Sequence, residues 1–221
     1  MDPRRHQAGV GEPDHHARVS GLFIALEGIE GAGKSTQITL LAERLARGGR
    51  DPLLVREPGG TKLAEAARDL VLHGDDDVSP AAELFLYLVA RADLVSRVIR
   101  PALAAGRVVI ADRYELSTRA YQVAGRGLNE ASVVAAIELA TGGLKPDLYI
   151  VLDLPVEDGR ARQAAQGKSP DRLERADVEF HERVAQAFRT ATGNVAHVAA
   201  DRPPASVHEQ IWSALREKRL V

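Results

Sequence analysis

The sequence predicts an α/β fold in which a parallel sheet of about five strands carries helices on both faces. Short apolar runs recur along the chain and alternate with stretches of helical periodicity. One of these runs leads directly into a glycine-rich loop that is followed by a helical pattern. No apolar run approaches the roughly 20 residues that a membrane-spanning helix requires.

The strands are predicted from runs of apolar residues, because a strand that is buried on both faces of a parallel sheet reads this way. The first run ends just before the glycine-rich loop. In chain order the runs are residues 22–26, 53–55, 108–111, 148–152 and 195–199.

Helical spacing of apolar residues fills the gaps between the strands. A first helix follows the glycine-rich loop and is ended by Gly48 and Gly49. Ser79, followed by Pro80, and Asn129 are typical N-caps. Further helices are predicted at about residues 62–72, 81–99, 130–141, 156–166, 176–190 and 204–217.

Composition indicates an ordinary globular protein of 221 residues, with 45% hydrophobic and 27% charged residues. A net charge of −2 gives no general attraction to nucleic acid or acidic membranes. The chain has no cysteine, which excludes disulfides and thiolate metal sites and fits the cytoplasm. Residues 21–221 are predicted to form a single domain, after a disordered tail at residues 1–20 that lacks the apolar core of a secretory signal.

The most informative motif is residues 28–35, which fit the phosphate-binding loop G-x-x-x-x-G-K-[ST]. Its glycines let the backbone turn its N–H groups toward phosphate oxygens. Lys34 would supply a charge for the terminal phosphates and Ser35 a hydroxyl ligand for Mg²⁺. The sequence therefore predicts a P-loop NTPase-type sheet. The nucleotide-phosphate site would comprise Gly28, Ile29, Glu30, Gly31, Ala32, Gly33, Lys34, Ser35 and Thr36.

Polar residues follow the other predicted strands. In parallel sheets ligands bind at the carboxyl ends of the strands. Asp112 ends one such strand, where a carboxylate would hold Mg²⁺ or accept a proton, and Arg113 beside it would suit an anionic substrate. We therefore expect both residues to take part in catalysis.

Four blocks of sequence together resemble bacterial thymidylate kinase. They are residues 27–35, residues 56–61, residues 112–114 with 117–122, and residues 146–148. The resemblance runs from about residue 21 to the C-terminus. It implies transfer of a phosphoryl group from ATP to dTMP with Mg²⁺ as cofactor, and a homodimer with no nucleic-acid or membrane partner.

The resemblance also implies a substrate site. Tyr87 and Arg91 lie four residues apart and share one face of a helix; they match residues that stack on thymine and bond a base carbonyl. Tyr121 matches an aromatic residue that disfavours ribose. The implied dTMP-binding residues are Glu30, Glu57, Arg68, Tyr87, Arg91, Arg113, Thr118, Tyr121 and Gln122. Adenine contacts are expected from Arg126 or the turn at residues 201–203.

Phosphoryl transfer needs positive charge beyond Lys34 and Mg²⁺, yet the interior of the loop holds no cation. The segment at about residues 159–172 resembles the small helical lid of the thymidylate kinases that supply this charge from the lid instead. Arg162 and Lys168 are the expected catalytic cations in it.

Arg160 and Arg172, at the ends of the lid segment, are expected to be anchors paired with Glu157 and Glu174. Arg126 is the next candidate for the catalytic charge.

Two alternatives remain open from the residues alone. The same loop serves regulatory GTPases, but the sequence has no Asn-Lys-x-Asp element that would read guanine. A kinase for another nucleoside monophosphate is the second alternative, since the choice of dTMP follows only from the resemblance.

Overall fold

The computed structural model describes residues 21–73, 78–165, 167 and 172–221. Within this part of the chain one parallel sheet is formed by β1 (Leu22–Glu27), β2 (Pro52–Arg56), β3 (Val108–Asp112), β4 (Leu148–Asp153) and β5 (Val195–Ala199). The strand order is β2-β3-β1-β4-β5. The predicted α/β fold with five parallel strands is confirmed. The tail predicted at residues 1–20 lies outside the described residues.

The central strand is β1, and all six of its residues are buried. It pairs with β3 on one side and with β4 on the other. Because the strands are parallel, the carboxyl ends of all five meet at one edge of the sheet. Leu26 lies in register with Asp112, so the loop after β1 begins beside the end of β3.

Apart from two short helices that were not predicted, at residues 100–104 and 115–118, the α-helices agree with the predicted spans to within about five residues at their ends. The caps are as expected, since Ser79 accepts from the Ala82 N–H and Asn129 from the Ser132 N–H. The helices are α1 Lys34–Arg47, α2 Lys62–His73, α3 Pro80–Leu94, α4 Arg100–Ala104, α5 Glu115–Thr118, α6 Glu130–Thr141, α7 Val156–Ala165, α8 Val178–Arg189 and α9 Pro204–Glu217.

Two π-helical segments widen the helical turns. Val95–Ile99 joins α3 to α4, and Arg119–Gly125 continues α5. The second segment belongs to a helical stretch, residues 115–125, that was not predicted from the sequence. It brings several polar side chains to the carboxyl edge of the sheet. Among the described residues, no helix combines the length and apolar character needed to cross a bilayer.

Candidate active site

A cleft with a volume of about 940 Å³ opens at the carboxyl edge of the sheet. Its walls come from the glycine-rich loop after β1, the ends of β2 and β3, the helices α2, α3, α7 and α8, and the π-helical segment after α5. Parallel sheets bind their ligands at this edge, so the position of the cleft agrees with the predicted site.

The glycine-rich loop packs backbone against backbone with its neighbours. Gly28 has φ of 134°, and a Cβ there would lie 2.7 Å from the carbonyl oxygen of Leu152. Gly31 lies against Gly159 at the start of α7, and a Cβ on Gly159 would lie 2.6 Å from the carbonyl of Glu30. The loop conformation therefore requires glycine at these positions.

Lys34 is buried at the first position of α1 and folds back over the loop. Its Nζ donates to the carbonyl of Ile29 at 2.9 Å and to that of Gly28 at 3.2 Å. Burial, helped by the positive charge of Arg113, lowers the pKa of Lys34 below its ordinary value. The ammonium group is thus held in place at the floor of the phosphate loop.

Arg113 links the end of β3 to the phosphate loop. Its guanidinium donates to the Gly28 carbonyl at 3.0 Å and to the Tyr121 hydroxyl at 3.3 Å, and it forms a short ion pair with Glu30. Burial disfavours ionisation of Glu30, but Arg113 and Lys34 outweigh it and hold the pKa of Glu30 at about 2. Glu30 is therefore a carboxylate at neutral pH.

The backbone of Arg113 is strained, with φ of 73°.

Glu27, at the end of β1, holds Tyr114 and Ser117, which follow Arg113 in the chain. One of its oxygens accepts from the Tyr114 N–H at 2.8 Å and the other from the Ser117 hydroxyl at 2.5 Å. Ser117 in turn accepts from Arg113 at 2.9 Å. Burial raises the pKa of Glu27 to about 7, although the hydrogen bonds from Ser117 and Tyr114 oppose the shift.

Arg91 on α3 is 2% exposed and lies inside a network of hydrogen bonds. Its Nε donates to Glu57 at 2.7 Å, and its two terminal nitrogens donate to the Thr118 hydroxyl at 2.8 Å and the Tyr114 carbonyl at 2.9 Å. Burial raises the pKa of Glu57, although Arg91 opposes this shift. The second oxygen of Glu57 has no hydrogen-bond partner among the described residues.

Gln122 belongs to a second buried network around Glu83 in the first turn of α3. One oxygen of Glu83 accepts from the Gln122 side-chain nitrogen at 2.9 Å. The other accepts from Arg126 at 3.0 Å and from Arg172 at 2.5 Å. Burial works against the charge, yet the hydrogen bonds from Arg126, Gln122 and Arg172 hold the pKa of Glu83 below its ordinary value.

The predicted metal-binding oxygens lie at the same edge of the sheet. Ser35 is exposed in the first turn of α1, and Asp112 ends β3; both line the cleft. Hydroxyl and carboxylate oxygens suit Mg²⁺, which protein sites commonly hold through one or two such ligands together with substrate phosphates. The two side chains therefore offer oxygen atoms of the kind that Mg²⁺ prefers.

The lid arginines take different places. Arg160 lines the cleft and donates to the Ala176 carbonyl at 3.3 Å. Arg162 donates to the carbonyl of Gly31 in the phosphate loop at 3.3 Å and to that of Ala200 at 3.0 Å. Lys168, predicted as a catalytic cation, lies outside the described residues.

The predicted anchor pairs of the lid were wrong. Arg172 pairs with Glu83 instead of Glu174, and its Nε donates to the Val71 carbonyl at 3.0 Å. Arg160 is held by a backbone carbonyl, as described above. The sequence separation of 89 residues between Glu83 and Arg172 explains the error, since a local pairing rule cannot find such a partner.

The cleft brings together most of the predicted site. Its lining includes Glu30, Gly31, Gly33, Lys34, Ser35, Thr36, Glu57, Arg68, Tyr87, Arg91, Asp112, Arg113, Thr118, Tyr121 and Gln122. Gly28, Ile29 and Ala32 complete the loop from its buried side. Sequence reasoning missed Glu27, Ser117 and Glu83. A carboxylate directly before the loop was a visible signal for the first of these, but nothing local marks the other two.

Comparison with known proteins finds consistent similarity. A family model described as thymidylate kinase matches residues 26–211. Curated thymidylate kinases from Synechococcus sp. (strain JA-2-3B'a(2-13)) and Deinococcus radiodurans are 48% and 44% identical to this chain over 201 and 206 residues. These alignments cover 89% and 90% of this chain and 95% and 98% of the two relatives.

The fold is likewise similar to a solved structure. The crystal structure of thymidylate kinase from Ehrlichia chaffeensis aligns with a TM-score of 0.72 and 28% sequence identity. The alignment covers 88% of this chain and 98% of that one. The family match includes every residue named in the cleft lining.

Proposed function

The chain belongs to the thymidylate kinase family, and from this premise we propose that it phosphorylates dTMP to dTDP with ATP and Mg²⁺, by direct in-line transfer. The observation that carries the proposal is the cleft itself, which joins a phosphate loop to a pocket holding Tyr87, Arg91 and Gln122. A donor bound at the loop and an acceptor bound in this pocket would face each other across one cleft.

The donor would be bound by residues 28–36. The N–H groups of the loop would surround its phosphates, and Lys34 would exchange its bonds to the loop carbonyls for bonds to phosphate oxygens. Magnesium, held by Ser35 and Asp112, would neutralise phosphate charge as it does in related kinases. Asp112 also lies where a carboxylate could accept a proton at the end of β3.

The acceptor would be bound across the cleft. Arg113 and Arg68 would hold the dTMP phosphate, and the carboxylate of Glu30 would accept a bond from a sugar hydroxyl. Tyr87 would stack on the base and Tyr121 would lie against the sugar. Glu57, Arg91, Thr118 and Gln122 would form the polar wall around the base. The unpaired oxygen of Glu57 supports this arrangement, because a buried polar atom without a partner is rare unless a ligand supplies one.

We expect the transition-state charge to come from Arg162 and Lys168. Arg162 donates to the Gly31 carbonyl of the phosphate loop, although it is not among the residues that line the cleft, so it would have to leave this carbonyl to reach a phosphate. Alanine variants of these two residues should lower kcat and kcat/KM together, by about tenfold to a hundredfold, because the interaction is made only in the transition state. Steady-state assays at saturating ATP and dTMP would measure this.

Arg172→Ala serves as the comparison, because Arg172 donates to Glu83 and the Val71 carbonyl, whereas Arg162 donates to the phosphate loop. Its kcat should fall less than that of the two inner variants. The next candidate from the sequence, Arg126, pairs with Glu83 and is not among the residues that line the cleft. Normal kcat in both inner variants would therefore point to Arg160, which does line it.

The decisive test of the function is a turnover panel. Purified protein with ATP and Mg²⁺ should convert dTMP to dTDP with a higher kcat/KM than it shows for dCMP, dGMP or dAMP, and chelation of the metal should stop the reaction. Chromatographic detection of each diphosphate would measure the rates. Preference for another monophosphate would redirect the substrate assignment, and GTP hydrolysis without any acceptor would favour the regulatory GTPase alternative.

We also propose that residues 21–221 act as one domain and that the protein works in the cytoplasm.

We further propose that the protein is a homodimer. Large apolar side chains are exposed on α2, α3 and α6, and α3 packs against both of the other two helices. Phe85 is 61% exposed and Leu139 87% exposed, and Leu63, Leu70 and Val89 add to this surface. Exposed apolar surface of this kind is typical of an interface. Sedimentation equilibrium tests the homodimer. It should give twice the mass of one chain, and the mass of a single chain would contradict the proposal.

A further inference from the structure

Glu83 has no role in the chemistry described above, yet it is fully buried and holds Gln122 at the wall of the cleft. We propose that Glu83 is a positioning residue that fixes the orientation of the Gln122 amide, so that the cleft selects a pyrimidine with two carbonyl groups over one with a 4-amino group. This inference rests on the proposed function and deepens it.

The argument begins with hydrogen-bond polarity. An ionised carboxylate only accepts hydrogen bonds, so Glu83 must face the NH₂ group of Gln122. The carbonyl oxygen of the same amide then lies at the opposite end. Gln122 lines the cleft, and its carbonyl has no hydrogen-bond partner among the described residues. The cleft therefore presents an acceptor at this position.

An acceptor there distinguishes the two classes of base. A 2,4-dioxo pyrimidine carries a ring N–H donor at N3, which would pair with the carbonyl of Gln122. A 4-amino pyrimidine carries a lone pair at the same ring position, so two acceptors would face each other. A site that offers an acceptor therefore rejects the 4-amino base, because the buried carbonyl of Gln122 would be left without a hydrogen-bond donor.

Two neighbouring arginines keep Glu83 ionised, which is the form that can only accept a hydrogen bond from Gln122. Arg126 and Arg172 donate to it from two different segments of the chain, and Arg172 is itself fixed by the Val71 carbonyl. Both ion pairs favour the ionised carboxylate. A neutral amide at position 83 could instead offer either its oxygen or its nitrogen, and the Gln122 amide could then turn over.

The experiment measures kcat/KM for dTMP, dUMP and dCMP in the parent protein and in Glu83→Gln. We expect the ratio of dTMP to dCMP to fall by a factor of about 10 or more, the effect of one mismatched buried polar pair. The value for dUMP should follow that for dTMP, because both bases carry the same N3 donor. Glu83→Asp, which keeps the charge, should retain the parent preference.

Loss of the carboxylate also leaves two arginines without their counter-ion, so a charge-matched variant is needed. Glu83→Gln combined with Arg172→Met removes one negative and one positive charge and leaves Arg126, which is 25% exposed, to the solvent. Arg172→Met alone keeps Glu83 facing Gln122 and should keep the preference for dTMP, whereas the double variant should lose it.

An unchanged ratio in both variants that carry Glu83→Gln, each shown by circular dichroism to be folded, would overturn the role of Glu83. Equal loss of kcat/KM for all three monophosphates would also overturn it, since a purely structural role has that effect. A parent protein that does not phosphorylate dTMP would instead refute the proposed function, which is a separate outcome.

Discussion

Replacing Lys34 by Ala is expected to lower kcat for dTDP formation by at least about a hundredfold, the effect of removing one preorganised charge from a phosphoryl-transfer site. Lys34 is buried, and its ammonium group lies within hydrogen-bond distance of the loop carbonyls. Initial rates at saturating ATP and dTMP measure the effect.

Lys145→Ala is the matched control for this experiment. Lys145 is exposed, and it lies outside the residues that line the cleft. Its loss should leave kcat at the parent value. Parent-like turnover in Lys34→Ala would refute the assignment of the loop to the phosphoryl donor. A thermal melt of each variant would show whether a lost activity reflects unfolding.

Replacing Arg91 by Leu should destabilise the protein by about 3–5 kcal/mol, because it leaves one half of a buried ion pair uncompensated. For a chain of this size that corresponds to a fall in melting temperature of about 6–20 °C. Burial already raises the pKa of Glu57 against the influence of Arg91. Without Arg91 we expect Glu57 to take up a proton, which would limit the loss.

Two further variants test whether the loss of the buried ion pair is what destabilises Arg91→Leu. Adding Glu57→Gln to Arg91→Leu removes the buried carboxyl group and the free-energy cost of protonating it, so the double variant should melt at a higher temperature than Arg91→Leu. Arg97→Met breaks an ion pair with Asp93 in which Arg97 is 72% exposed, and should leave the melting temperature nearly unchanged. Equal melting temperatures for Arg91→Leu and the parent would show that the network contributes no stability.

The strands were predictable because their surroundings leave a local signature. Both faces of β1 and β4 are buried, so each reads as an uninterrupted apolar run. Residues 115–125 were missed for the opposite reason. This stretch carries polar residues such as Ser117 and Gln122 on the side that faces the cleft, and these interrupt the helical pattern of apolar residues. Its π-helical turns also contain more residues than α-helical turns, so the spacing of apolar residues departs from the α-helical period.

The candidate site was predictable where residues act through backbone geometry or motif spacing, as Lys34 and Gly28 do. The counter-ions of the buried side chains were not predictable, since they are set by tertiary packing. Arg91 pairs with Glu57, 34 residues away in sequence, and this pairing follows from the tertiary packing of α3 against the segment after β2. Glu83 collects donors from positions 39, 43 and 89 residues away, beyond the reach of any local rule.

The contact between Gly31 and Gly159 restricts how this sequence can change during evolution. Backbone meets backbone there, and a methyl group on either residue would collide with the other chain segment. A substitution at one position cannot be accommodated by trimming a side chain at the other, because neither glycine has one to lose. We therefore expect substitutions at both positions to be excluded. Related sequences can differ at the start of α7 only if they keep these two glycines.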